Sequence, residues 1–346
     1  MGIMGIFKFR PSNTQIKRIS KKICVKKNII LITGVAGMLG SELLKRKLSK
    51  LNKNVIVIGI DNLVLGKKKF IQKELKNKNF FFFNIDLSKK INDKKIIKIF
   101  KKSLINEAWL FAANSDIKLG SKKPEVDLKN TFLSTFNSLQ LIENYLNKKS
   151  KIIFSSSSAI YGSLKKKLNE NTPPIYPISN YGSMKLASEA LISSFSYKKN
   201  IKSFIFRFPN VIGRNLTHGV LYDFKKKFKN KNKFVQVLGN GLQKKPYADA
   251  NEILDSMKYL INKGSKFVNY FNIGPADRGV KVKFIVNEFK KYFPKKKIKY
   301  QNKKYGWIGD VTQYHYDTSK MTSKGFKFKK KSSNTIRKTI SEILLK

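Results

Sequence analysis

An apolar run of β-favouring residues, "NIILIT" at 28–33, passes without a break into "TGVAGMLG" at 33–40 and then into the helical "SELLKRKL". Gly34, Gly37 and Gly40 have the spacing of a turn that cradles a pyrophosphate. Glycine permits the tight bend and the close backbone approach, and the helix start offers N–H groups without intrahelical partners. A glycine triplet alone would be weak. A strand before, a helix after and an acid about 20 residues on make it strong. That acid is Asp61, closing "VIVIGID" and placed to accept hydrogen bonds from both hydroxyls of an adenosine ribose. Its carboxylate repels a 2′-phosphate, so the expected cofactor is NAD rather than NADP. Met38 and Leu39 at the helix start, and Asn62 after the acid, join it as expected cofactor contacts.

Short apolar runs then alternate with longer amphipathic stretches. "NIILIT", "NVIVIGID", "NFFFFNID", "AWLFAA", "SKIIFSSSS" and "IKSFIFRFPN" read as strands, and 38–51, 67–77, 124–147 and 178–199 as helices. Strands separated by helical segments imply right-handed crossovers and an α/β fold: a Rossmann-type, doubly wound parallel sheet covered on both faces. Past Pro209 the rhythm breaks into shorter elements. The expected organisation is a basic extension over 1–27 and a dinucleotide-binding domain over 28–207, with 243–263 returning to it. Residues 208–242 and 264–346 would form a smaller mixed substrate-binding domain, and "KFKKKSSNTIRKTISEILLK" would close the chain as a surface helix.

The formal net charge of +52 invites a nucleic-acid function, yet the lysines are spread over nearly every segment and arginine is scarce. A bidentate fork on phosphate or guanine would favour arginine, so no specific nucleic-acid partner is expected. Weak salt-sensitive binding to polyanions is expected from such a charge. No apolar run approaches the roughly 20 residues of a membrane-spanning helix. Cys24 is the only cysteine, which excludes an intrachain disulfide and points to a reducing, cytoplasmic setting. His218 and His315 stand far apart, read as surface or packing residues, and no cluster has metal-ligand spacing.

In "NYGSMK", Tyr181 stands four positions before Lys185. The spacing decides nothing by itself, because Tyr145/Lys149, Tyr161/Lys165, Tyr222/Lys226, Tyr259/Lys263, Tyr292/Lys296, Tyr300/Lys304 and Tyr316/Lys320 share it. Only Tyr181 follows a serine-tipped strand end and the Pro-rich helix start "TPPIYPISN". Residues four apart share a helical face. Oxidising a secondary alcohol requires a base for the hydroxyl proton, and tyrosine, with a pKa of about 10, is a poor one. Lowering it by roughly 3 units means about 4 kcal/mol. A lysine ammonium ~5 Å away supplies on the order of 3 kcal/mol at an effective dielectric near 20, and a positive nicotinamide ring can provide the rest.

In order along the chain stand "TGVAGMLG", "GIDNL", "NID", "FAANSD", "FSSSSAIYG", "YGSMK", "RFPNVIGR" and "GWIGDV". With these landmarks the chain, from about Asn28 to near its C-terminus, resembles the extended short-chain dehydrogenase/reductase family, in its nucleotide-sugar epimerase/dehydratase branch. The resemblance implies that Asp86, with Leu87 beside it, contacts the adenine, that Ala112, Ala113 and Asn130 line the cofactor, and that Ser157 is the catalytic serine. Ser157 would hold the reacting oxygen and relay its proton to Tyr181, with Ser156 and Ser158 as its near alternatives. Ser158 also counts as an expected substrate contact. The resemblance further implies that Asn210 touches a substrate diphosphate, and that a homodimer forms on the 124–147 and 178–199 helices. Lys245, ahead of Tyr247, stands where the family usually has a diphosphate-binding arginine. Near "GWIGD" the customary arginine is absent, with Tyr305 and Trp307 in its neighbourhood.

Dehydratases of the branch follow the serine or threonine with Asp then Glu, and its decarboxylases use a glutamate at the second position. Here Ser158 and Ala159 occupy those places. What remains is reversible hydride transfer at one carbon. The expected activity is nucleotide-sugar 4-epimerisation of the UDP-glucose 4-epimerase type. An NAD-dependent nucleotide-sugar dehydrogenase or 4-keto reductase comes second, and a polyanion-binding protein on a retained dinucleotide fold third.

Overall fold

A computed structural model describes residues 27–50, 54–101, 103–164, 167–172, 175–302, 311 and 315–345. Most of the 1–27 extension, with Cys24, and Tyr305 and Trp307 therefore lie outside the described residues.

Seven parallel strands form the central sheet: β1 (Lys27–Thr33), β2 (Val55–Asp61), β3 (Phe80–Asn84), β4 (Ser103–Leu110), β5 (Lys151–Ser155), β6 (Lys202–Arg207) and β7 (Val268–Asn272). Their spatial order is β7-β6-β5-β4-β1-β2-β3. Sequence order therefore reverses between β1 and β4, and a crevice opens there at the strand ends. Most of the strands are short runs rich in Ile, Val, Leu or Phe, as a sheet buried on both faces requires. One face packs Leu31, Ile58, Phe83, Phe154 and Ile192 in a common core. The other packs Ile32, Val57, Trp109, Phe204 and Met257.

Flanking helices are α1 (Met38–Leu48), α2 (Lys94–Lys101), α3 (Ile117–Lys122), α4 (Pro124–Asp127), α5 (Ser134–Ile142) and α6 (Asn180–Lys199). Later come α7 (Val220–Lys229), α8 (Ala250–Ile261), α9 (Val282–Lys290), α10 (Ser319–Ser323) and α11 (Ser332–Leu344). A separate core joins Phe224 and Phe228 of α7, Phe289 of α9 and Ile336 and Ile340 of α11. The closing surface helix is thus apolar on its inner face.

Four segments differ from the sequence expectation. Residues 67–77 form two short 3₁₀ turns, Lys68–Phe70 and Glu74–Lys76, instead of a helix. Of the apolar side chains at 70, 71 and 75 only Ile71 is buried, so no stripe holds a helix down. Residues 124–147 are interrupted by a π turn, Leu128–Leu133, between α4 and α5. Helix α2 was not expected, although Ile96, Ile99 and Phe100 form its buried stripe and Asp93 caps its first N–H groups. Finally, the return to the sheet runs beyond 243–263, because β7 pairs with β6 along its whole length as the edge strand.

Candidate active site

Where β1 ends, the chain must turn across the exit of β4. Gly34 has φ +67°, and a Cβ on it would stand 2.8 Å from the backbone of Phe111 and Ala112. A Cβ on Gly40 would meet the Gly34 carbonyl oxygen at 2.2 Å. Both glycines are thus demanded by the fold before any ligand is considered. Gly37 caps α1 with no side-chain bond, and the helix's first i→i−4 bond runs from Ser41 N–H to the Gly37 carbonyl. The N–H groups of Met38, Leu39 and Gly40 precede it and have no intrahelical acceptor.

Asp61 ends β2 beside this turn, only 7% exposed. It accepts from Ala36 N–H at 2.9 Å and from Leu63 N–H at 2.8 Å. Burial pushes its carboxyl above the usual range, and the two N–H bonds oppose that rise. Leu63 is held in the left-handed region, φ 60°. Gly66 passes so close that a Cβ would lie 2.8 Å from Asp61 Oδ1.

Across the crevice, β5 delivers the serines and α6 delivers the tyrosine. Ser179 caps α6 by accepting from Gly182 N–H at 3.1 Å. A Cβ on Gly182 would lie 2.5 Å from the Ala159 carbonyl oxygen, so glycine lets α6 close on the serine-tipped turn. Ser157 is hydrogen-bonded to Tyr181 and accepts from Ala159 N–H at 3.1 Å. Lys185 is buried, donates to the Ser155 carbonyl at 2.5 Å and lies 4.6 Å from the Phe154 ring centre and 5.8 Å from that of Tyr181. Burial pulls its ammonium down to about 7, with Glu189 and Asp127 opposing. Burial also raises the Tyr181 phenol above ordinary tyrosine, Ser157 opposing and Asp127 adding to the rise.

These pieces wall one cleft of about 340 Å³. Gly34, Gly37, Met38, Leu39, Gly40, Asp61 and Asn62 line one end of the wall; Leu87, Ala112, Ala113 and Asn130 lie along it. Ser157, Ser158, Tyr181, Lys185, Asn210 and Lys245 line it as well. Asn130 sits in the π turn, a local widening of the helix common where a helix serves a site. Asp86 is not part of the wall. Its carboxylate accepts from Ser88 N–H at 3.0 Å and stabilises the turn after β3.

Two features had not been expected from the sequence. His218 lines the cleft, its Nδ1 3.0 Å from Thr217 Oγ1, and burial pulls its pKa down. Glu189 and Arg207 form a buried pair behind the serines: Arg207 Nη2 reaches Glu189 Oε2 at 2.7 Å and Arg207 Nη1 reaches Tyr161 at 2.9 Å. Ser156 Oγ also donates to Glu189, which ties Ser156 to the interior and away from the cleft. The signal available was the 181, 185, 189 spacing along one helical face. Among the described residues no group of three or more His, Cys, Asp or Glu could hold a metal ion, and no helix is long and apolar enough to cross a membrane.

A family model described as the NAD dependent epimerase/dehydratase family matches residues 30–274. The chain belongs to that family. A Methanocaldococcus jannaschii protein provisionally named a UDP-glucose 4-epimerase is 28% identical over 246 residues, spanning 70% of this chain and 76% of its own. A Thermotoga maritima UDP-glucose 4-epimerase solved with UDP-glucose is 24% identical, with a TM-score of 0.76 over 91% of this chain and 98% of its own. A Bacillus cereus UDP-glucuronic acid 4-epimerase solved with its UDP-sugar and NAD is 20% identical, with a TM-score of 0.75 over the same shares. At those identities the structural likeness is one of fold.

NAD is the cofactor in the family's description, and the residues of this cleft fit it. The unpartnered N–H groups of α1 suit a pyrophosphate. Asp61 uses one lone pair of each oxygen on the backbone, and the remaining lone pairs suit ribose hydroxyls.

Proposed function

We propose that this chain is an NAD-dependent nucleotide-sugar 4-epimerase that oxidises C4 of the sugar and returns the hydride to the opposite face. One observation carries the reading: Ser157, Tyr181 and Lys185 share the cleft wall with the glycine turn, while positions 158 and 159 hold no acid. NAD, when bound, supplies the hydride acceptor and gives the hydride back. Tyr181 takes the C4 hydroxyl proton, Ser157 holds the reacting oxygen and passes that proton on, and Lys185 favours the phenolate as long as it is an ammonium. Burial, with the Asp127 charge adding to it, holds Tyr181 as a phenol, so the proton on Lys185 matters for the rate. Ser158 and Ala159 offer no group to protonate a leaving hydroxyl, which argues against loss of water. Asn210 and Lys245 are suited to the substrate diphosphate, lysine acting as a point charge without arginine's bidentate fork. Exposed Leu128, Phe136 and Tyr197 support a homodimer on the 124–147 and 178–199 helices, and a cytoplasmic setting belongs to the same proposal.

Purified protein assayed against UDP-, dTDP- and GDP-sugars should interconvert a pair of C4 epimers with no net NADH. Release of NADH in step with product would instead identify a dehydrogenase or reductase. Failure on every sugar, together with submicromolar RNA binding at about 0.2 M salt, would contradict the reading in favour of a polyanion binder.

A further inference from the structure

Asp127 is a buried acid that the mechanism above leaves unused. It is 0% exposed, although Pro124, Glu125, Leu128 and Lys129 around it are exposed. Its Oδ1 accepts from Asn114 Nδ2 at 2.7 Å. Its Oδ2 is buried with no hydrogen-bond partner among the described residues. That oxygen lies so close over Gly120 that a Cβ there would stand 1.8 Å from it. The Gly120 carbonyl in turn accepts from Asn180 Nδ2, beside Tyr181, at 3.2 Å. The carboxylate is thus wedged where α3, α4 and the start of α6 meet, a costly place for a charge.

We propose that Asp127 is a positioning residue for the Tyr181–Lys185 pair, its fixed negative charge keeping Lys185 an ammonium and so setting the pH range in which the pair removes a proton. The proposal rests on the reading of Tyr181 and Lys185 as the proton-transfer pair. Charges facing the pair come from several elements. Glu189 stands on α6, but Arg207 from β6 holds both its oxygens. Burial raises the Asp127 carboxyl above the usual range, the Asn114 bond opposes that rise, Asp116 before α3 adds to it, and Lys185 lowers it. Tyr161 bonds Arg207 and adds no charge of its own. Of the two carboxylates that support the Lys185 proton, Glu189 and Asp127, only Glu189 is held by a guanidinium. The influence of Asp127 has two faces: it supports the proton on Lys185 and opposes the phenolate on Tyr181.

The test labels lysine Cε with ¹³C and follows against pH the resonance that Lys185→Met removes. In the wild-type protein its midpoint should lie near 7. In Asp127→Asn, which keeps the side-chain shape and the bond from Asn114, the midpoint should fall by about one pH unit. Asp127→Ser, smaller and also neutral, should give the same shift if the Asn variant does not fold. Both limbs of the kcat–pH profile should move to lower pH by a similar amount. An unmoved lysine midpoint would overturn the proposal, and so would a loss of kcat with both limbs in place. The resonance needs no sugar, so failure of the epimerase reading would be seen separately, in the substrate assays.

Discussion

At the scale of single residues, the site joins a legible pair to groups that a sequence conceals. Tyr181 stands out from seven equally spaced Tyr–Lys pairs because its neighbours are local: serines on the preceding strand tip, a capping serine and a glycine. Tyr181→Phe should cut turnover at least ~10³-fold and leave NAD affinity, measured by fluorescence titration, within about twofold, since the glycine turn is a separate part of the wall. Asp127 and His218 could not be singled out. Asp127 lies among exposed neighbours, and His218 reaches the cleft only through the placement of the loop before α7. The sequence argument expected Lys185 to depress Tyr181; burial in the finished fold pulls the other way on both groups. Lys185 titrates near 7 when folded against 10.5 when unfolded, so the unfolded chain binds the extra proton between those values. Wild-type stability should therefore fall as pH drops from 10.5 toward 7 and level off below it. Urea titrations of wild type and Lys185→Met should show the variant's relative advantage growing across that window. A pH-independent difference would contradict the burial of a depressed lysine.

Elements were legible where a pattern repeats within a few residues. The apolar runs of the first six strands and the glycine turn are of that kind. Helix α2 escaped notice because its Ile96, Ile99 and Phe100 stripe is confined to an 8-residue segment, and β7 because its partner β6 lies some sixty residues earlier, a pairing no local pattern encodes. The π turn around Asn130 is a product of packing and leaves no mark in composition. Gly182 is where α6 meets the 158–161 turn. Gly182→Ala would press a methyl against the Ala159 carbonyl and lift Tyr181 from Ser157. Turnover should fall about 10- to 100-fold, with far-UV circular dichroism unchanged. Glu189→Ala would strand the Arg207 guanidinium in the interior and should cost about 3–5 kcal/mol in denaturant unfolding. A cost below ~1 kcal/mol would mean that the pair is solvated rather than buried.

Taken whole, the molecule carries its family's sheet beneath a surface with a net charge of +52. Three segments that each contribute a residue to the cleft wall bring lysines within electrostatic reach of one another. Burial and then Lys229 and Lys69 pull Lys225 down, while burial and Lys118 do so for Lys227. Gly66, Ile117 and Leu221, beside those lysines in the chain, line the cleft. For an anionic nucleotide sugar, kcat/KM should drop about threefold or more between 0.05 and 0.5 M salt while kcat holds. A flat kcat/KM would mean that the rim plays no part in capture. The proposed reaction depends on the hydride leaving C4 and the proton leaving the C4 hydroxyl toward the same wall, and on the hydride coming back to the opposite face. The direct measurement uses sugar nucleotides deuterated at C4, incubated with wild type and with Tyr181→Phe, and reads the product by NMR. Wild type should yield the C4 epimer with deuterium retained at C4, and Tyr181→Phe should yield almost none. Deuterium lost to solvent, or equal rates for the two proteins, would contradict it.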